Sequence, residues 1–134
     1  MCPAAGDLLM KTIGSPLANV GRVALAILKQ PCKTLPGKIV CAYTEETTAA
    51  KLLQDWAEVT RNRATYVKCS LEAYSDIWPG WGMEMGSMVA MWDELGEWSW
   101  PVDGVLNWDD LGMPGENWAN VKDAYQEMDW KAIL

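Results

Sequence analysis

The 134-residue chain is half hydrophobic and 22% charged, with a net charge of −7, which fits a single globular domain with a modest core and excludes a fibrous or wholly disordered chain. It has nine Trp and eight Met but no His and no Phe. Without His there is no Ser-His or Cys-His nucleophile pair and no imidazole metal ligand, and the acidic balance argues against binding nucleic acid through its phosphates.

Residues 8–13 read as a short strand ended by the Gly14-Ser15-Pro16 turn. Asn19 is the expected N-cap of a first helix, with Val20, Val23, Ala24, Ile27 and Leu28 at helical spacing, Lys29 in the last turn and Pro31 as the stop. Residues 38–43 read as a second strand after the Pro36-Gly37 turn. Thr47 and Thr48 offer caps for a second helix with the stripe Ala49, Leu52, Leu53, Trp56 and Val59, and residues 65–69 read as a third strand. Ser70 caps a short helix carrying Leu71, Tyr74, Ile77 and Trp78, which Pro79-Gly80 breaks. Trp81, Met85, Met88, Val89, Trp92 and Leu95 then mark one apolar face of a longer helix. Gly82 and Gly86 form a G-x-x-x-G on it, and the flanking charges make close helix packing its meaning rather than a membrane span. Residues 96–117 read as an ordered loop, and Trp118, Val121, Tyr125 and Met128 as a last helix before the tail Trp130, Ile133, Leu134. The expected fold is α/β, with α+β as the alternative. It has a mixed sheet of about three to four strands packed with about four to five helices, over residues 1–134 as one domain.

Charge is segregated along the chain. Residues 1–70 hold nine Lys/Arg against five Asp/Glu, a balance of +4, and residues 71–134 hold two against thirteen, a balance of −11. A solvated acidic surface accounts for this; so does pairing of one subunit's basic half with another's acidic half. The cysteines Cys2, Cys32, Cys41 and Cys69 form no C-x-x-C pair, and Cys41 and Cys69 are expected as buried thiols in strands. The N-terminus lacks a signal-peptide pattern and the longest apolar run near it, 23–28, is too short to span a bilayer. The expectation is a reduced, cytoplasmic protein that binds neither membrane nor metal.

A series of junction motifs runs through the chain: Asn19-Val20-Gly21-Arg22, Leu35-Pro36-Gly37-Lys38, Ala57-Glu58-Val59-Thr60, Tyr66-Val67-Lys68-Cys69-Ser70-Leu71-Glu72-Ala73-Tyr74, Leu111-Gly112-Met113-Pro114 and Asp129-Trp130-Lys131-Ala132-Ile133-Leu134. In order and spacing this series resembles the C-terminal, substrate-side portion of NmrA-like atypical short-chain dehydrogenases. The resemblance implies the part of that fold that covers the substrate. The Gly-rich cofactor turn of the family is missing, since no G-x-G-x-x-G or G-x-x-G-x-x-G occurs. Asn19 also stands where the family's motif has Asp. An autonomous NAD(P)-dependent oxidoreductase is therefore not expected, and neither is a bound cofactor. A substrate-side domain without its Rossmann half leaves an apolar face uncovered, and a homodimer is the expected remedy.

The aromatic cluster supplies the candidate site. Trp78, Trp81, Met85, Met88, Trp92, Trp98 and Trp100 are the candidate substrate-binding residues, because broad rigid Trp and adaptable Met suit a flat apolar ligand. The same stripe at helical spacing also reads as core. Asp93, Tyr74 and Glu84 are the candidate catalytic residues, since a carboxylate beside Trp in an apolar pocket gains a raised pKa and acts as a general acid. Solvated helix surface is the alternative for each. Lys68 and Arg22 are candidates to orient an anionic or enol oxygen. Two functions follow. One is a cofactor-independent isomerase or cyclase acting on a hydrophobic small molecule of secondary metabolism. The other is a non-catalytic NmrA-like regulatory or protein-binding module.

Overall fold

The computed structural model describes residues 1–99, 103–113 and 117–132. In chain order the elements are β1 (Leu9–Thr12), α1 (Pro16–Lys29), α2 (Pro31–Thr34), β2 (Glu45–Thr48), α3 (Ala49–Thr60), α4 (Leu71–Ile77), α5 (Gly82–Leu95) and α6 (Val121–Glu127). Short 3-10 turns cover Gly96–Ser99 and Trp130–Ala132. The fold is mixed α/β. Four helix starts are fixed by side chains that accept an otherwise orphaned N–H. Ser15 accepts from Ala18 N at 3.4 Å, Thr48 from Lys51 N at 3.2 Å, Ser70 from Ala73 N at 3.1 Å and Asn120 from Asp123 N at 2.8 Å. Asn120 and Asp123 complete a reciprocal capping box.

The sheet is smaller than the sequence pattern suggests. Among the described residues it has two strands, β1 and β2, running antiparallel. Residues 38–43 and 65–69 form no strand. Each contributes one parallel bridge, Val40 to Leu106 and Lys68 to Cys2. Their β-rich composition is real, but a strand also needs a neighbour along its length, and the chain offers each only a single residue pair. Cys41 and Cys69 accordingly sit half-buried in extended chain, not inside strands.

The first helix also starts earlier than expected. Ser15, not Asn19, is the cap, and Pro16 occupies the first helical position, where its missing N–H costs nothing. That moves the buried face to Asn19, Val23 and Ala26. Val20, Ala24 and Leu28, expected in the core, face outward with Leu17, which is 89% exposed.

The chain forms two compact units: Met1–Met10 with Thr47–Trp100, and Lys11–Glu46 with Pro101–Leu134. The chain passes from one to the other along β1 and β2. In the first unit the tightest packing joins α4 to α5. A Cβ on Gly82 would lie 2.9 Å from the Ser75 Cα and 3.0 Å from the Tyr74 carbonyl oxygen, and one on Gly86 would lie 2.6 Å from a Leu71 methyl. The G-x-x-x-G lets two backbones approach as no other residue pair would. Ala4 and Leu8 are buried apolar residues of this unit, and Tyr66 Oη donates to Ala4 O at 3.0 Å. In the second unit Val23, Ala26, Leu111, Val121 and Ala124 form the core. Asn19, fully buried, ties it together: its Nδ2 donates to Ile13 O at 2.6 Å and Ala119 O at 2.7 Å, and its Oδ1 accepts from Ala119 N at 3.3 Å.

Candidate functional site

The glycines decide which way α5 faces. Gly82, Gly86, Val89 and Asp93 recur at i, i+4, i+7 and i+11, so the face that packs on α4 is the glycine face. The Trp/Met face lies to its side. Trp81 and Leu95 are 45% and 43% exposed, and Met85 is exposed too, whereas Met88 and Trp92 are half-buried. The expected apolar stripe is therefore neither a closed core nor an enclosed pocket wall. Its aromatic residues do meet at the α4–α5 corner. The Trp78 and Trp81 rings lie 5.3 Å apart at a 36° tilt, and Tyr74 meets Trp81 edge-on at 6.4 Å. Trp98, in the 3-10 turn after α5, is 87% exposed and stands apart from that cluster. Trp100 lies outside the described residues.

The candidate catalytic groups do not assemble into an acid–base pair. Asp93 accepts from Lys68 Nζ at 2.9 Å and from Ala5 N at 3.1 Å. The Lys68 hydrogen bond, aided by that backbone donor and by the lysine charge, holds its carboxyl below the usual range despite partial burial. The expected raised pKa is thus reversed: the glycine face carries Asp93 towards Lys68 and the N-terminal segment rather than into an apolar pocket beside Trp92. Burial pushes the Tyr74 phenol up, with further contributions from the charges of Cys2 and Cys69, so Tyr74 stays protonated at neutral pH. Glu84 is exposed in the first turn of α5, where a carboxylate favours the helix dipole.

Two features of this region escape the sequence pattern. Tyr66 is drawn under the N-terminal segment, where burial and a hydrogen bond with the Cys2 side chain raise its pKa. Cys2 N donates to Val67 O and Cys69 N to Cys2 O, each at 3.0 Å, which fastens the first residues beside the chain leading to α4. Neither contact has a periodic signature, because both join irregular segments far apart in sequence. Arg22, the other candidate cation, belongs to the second unit. Its guanidinium lies 4.4 Å from the Trp118 ring centre, and Nη1 donates to Asn117 O at 3.0 Å.

Among the described residues no group of three or more Cys, Asp or Glu converges as a metal-ligand set, and no helix is long and apolar enough to cross a membrane. Comparison with protein-family models, curated proteins and solved structures finds no match to this chain.

Proposed function

We propose that the chain is a non-catalytic recognition module whose working surface is the acidic Trp/Met face of α4, α5 and the following turn, and whose ligand is a basic amphipathic helix. One observation carries this reading. Residues 71–99 hold six Asp/Glu and no Lys/Arg, and within that acidic frame Trp78, Trp81, Met83, Met91 and Trp98 are exposed. Scattered exposed apolar side chains are ordinary, but the exposed Trp78–Trp81 pair, its rings 5.3 Å apart, with exposed Met85 one turn further along α5, marks a contact surface. Met adapts to varied shapes and Trp supplies rigid area, while the carboxylates select cations at the rim. Covering each large side chain fully contributes about 1.5–3 kcal/mol, so several are needed to offset the lost freedom of two bodies.

The chain carries such a helix itself. Leu17, Val20, Ala24 and Leu28 recur at i, i+3, i+7 and i+11 along the exposed face of α1. Residues 8–44 around it hold five Lys/Arg and no Asp/Glu. A second copy therefore supplies the ligand, and the module self-associates with α1 of one copy on the α4–α5 face of another. This accords with the contact-based, regulatory side of the NmrA-like resemblance. The isomerase or cyclase alternative has less support, since its acid, Asp93, is ion-paired and held ionised.

Sedimentation of the parent protein, Trp98→Ser and Leu28→Glu tests the reading. Both side chains are largely exposed (Leu28 76%) and neither substitution disturbs a buried contact. The parent is expected to associate in the micromolar range and each variant to dissociate. A basic amphipathic peptide added to Leu28→Glu should shift its Trp emission, and an acidic peptide of the same pattern should not. A monomeric parent that ignores both peptides refutes the proposal.

A further inference from the structure

We infer that the second unit holds a binding site for a small organic carboxylate with an apolar body, on a face of α1 separate from the one proposed above for self-association. Arg22, Leu25, Ala26 and Lys29 recur at i, i+3, i+4 and i+7 of α1, and line a cleft of about 300 Å³ together with Gln30, Leu111 and Met113. The outward stripe Leu17, Val20, Ala24 and Leu28 occupies other positions of the helix, so the two surfaces neighbour one another without sharing a residue.

The lining has the division of labour that an amphipathic anion requires. Its floor is apolar: Leu111 and Ala26 are buried, and Met113 adds an adaptable wall. Its charged groups are both cationic, Arg22 and Lys29, and no carboxylate lines it among the described residues. Arg22 is held in place before any ligand arrives, by its stack on Trp118 and its bond to Asn117 O. Gln30 Nε2 donates to Leu111 O and so fixes the floor to the end of the helix. The cleft lies along the C-terminal half of α1, where the helix dipole disfavours an anion by about half a charge. Two full cations outweigh that. Arg22 can meet a carboxylate in a planar, two-pronged geometry and Lys29 as a mobile point charge. The volume falls at the small end of ligand pockets, roughly 300–1,000 Å³. It suits an acid with one ring or a short chain, its body over Ala26, Leu111 and Met113.

The composition hides this site because its two walls come from segments some eighty residues apart, a helix and an irregular loop, and the loop residues carry no periodic signal. The site does not rest on the recognition reading: Trp98→Ser lies in the other unit and leaves it untouched.

The test is a titration of 15N-labelled protein with 4-phenylbutyrate and, in parallel, with its neutral isostere 4-phenylbutanamide, at low salt. The acid is expected to shift the amides of residues 22–30 and 111–113, and the amide to bind about tenfold more weakly or worse, the ratio that one charge-assisted bond supplies. Leu25→Glu, a change at a half-exposed position that sets a carboxylate at the mouth of the cleft, is expected to abolish binding. Lys29→Gln, at an exposed site, is expected to weaken it roughly fivefold with unchanged circular dichroism. Acid and amide binding alike, shifts confined to Trp78 and Trp81, or full affinity in Lys29→Gln would each overturn the assignment. Should Leu25→Glu fail to fold, the acid-to-amide ratio and Lys29→Gln decide the question alone.

Discussion

Replacing Asn19 with Asp changes one nitrogen to oxygen and is expected to be among the most damaging single substitutions in the second unit. The Asn19 side chain is fully buried, and its Nδ2 feeds two carbonyls, Ile13 O at 2.6 Å and Ala119 O at 2.7 Å. A carboxylate there would face both with lone pairs. Two donor bonds are lost, at a net cost of about 1 kcal/mol each, and a buried unpaired charge adds several more. The sum is roughly 4–6 kcal/mol near pH 7, a large part of the 5–15 kcal/mol that holds a typical domain together. The pH dependence has a definite sign. The introduced carboxyl is buried beside acceptors, so its folded pKa is raised above the unfolded value of about 3.9. The folded state then binds the extra proton. Relative to the parent, stability is greatest below the unfolded pKa and is lost by about 1.4 kcal/mol per pH unit as pH rises towards the folded pKa. Asn19→Ala serves as the reference: it also removes both donor bonds, leaving Ala119 O with the Ser15 N–H, but carries no charge, so its deficit of roughly 2–4 kcal/mol stays constant with pH. Urea unfolding followed by Trp fluorescence between pH 4 and 7 measures all three. An Asn19→Asp variant as stable as the parent at pH 7, or with a deficit flat in pH, refutes the role given to Asn19. The result also bears on the resemblance, because Asp is the residue its motif carries at this position.

Three further outcomes follow from the packing of the first unit. Gly82→Ala should destabilise by about 1–2 kcal/mol although Ala is the better helix former, because its Cβ meets the backbone of Ser75 and Tyr74; thermal unfolding measures it. Gly86→Ala meets a Leu71 methyl and the Tyr74 ring, which can yield, so its cost should be clearly smaller, and the reverse order would contradict the α4–α5 approach. Asp93→Asn should lower stability by about 1 kcal/mol at neutral pH. The lowered carboxyl pKa means this contribution is present above the unfolded value and disappears as pH falls through the folded one, so parent and variant should converge in acid.

The sequence is most informative where an element's boundary is a local matter. Ser70 and Thr48 are legible as caps because a hydroxyl before an apolar stripe has one obvious use, and Pro79-Gly80 is legible as the break between α4 and α5. The close approach at Gly82 and Gly86 is legible too. What periodicity misreads is the choice between two competing faces of α5. The Trp/Met stripe is the more hydrophobic, yet the glycine face wins the neighbour, since only it admits the α4 backbone. The same kind of error moved the core of α1. Val20, Ala24 and Leu28 look like core by hydropathy, but Ser15 and Pro16 start the helix and the long-range bonds of Asn19 select the opposite face. Strands at 38–43 and 65–69 fail for a different reason: strand propensity says nothing about whether a pairing partner exists. Arg22 is visible as an anion-orienting candidate, whereas its partners Leu111 and Met113 belong to a loop that no pattern connects to α1.

The segregation of charge discriminates between modes of association that apolar exposure alone cannot separate. Two α4–α5 faces set against each other would oppose six carboxylates to six, and two α1 faces would bring together two segments, residues 8–44, that each hold five Lys/Arg and no Asp/Glu. Only cross-pairing places opposite charges together while covering both apolar stripes. These modes respond to salt in opposite directions. The screening length falls from about 10 Å at 0.1 M to about 3 Å at 1 M, which removes attraction between exposed rim charges in the cross-paired form and repulsion in the like-paired forms. Apolar burial, by contrast, is left intact or strengthened by added salt. The proposed pairing therefore predicts a dissociation constant that rises about tenfold between 0.05 and 0.5 M sodium chloride, the effect of losing roughly 1.4 kcal/mol of rim attraction. Sedimentation equilibrium across that range reads it directly. Association that tightens with salt would mean that like faces meet, α4–α5 on α4–α5 or α1 on α1, and would refute the cross-pairing.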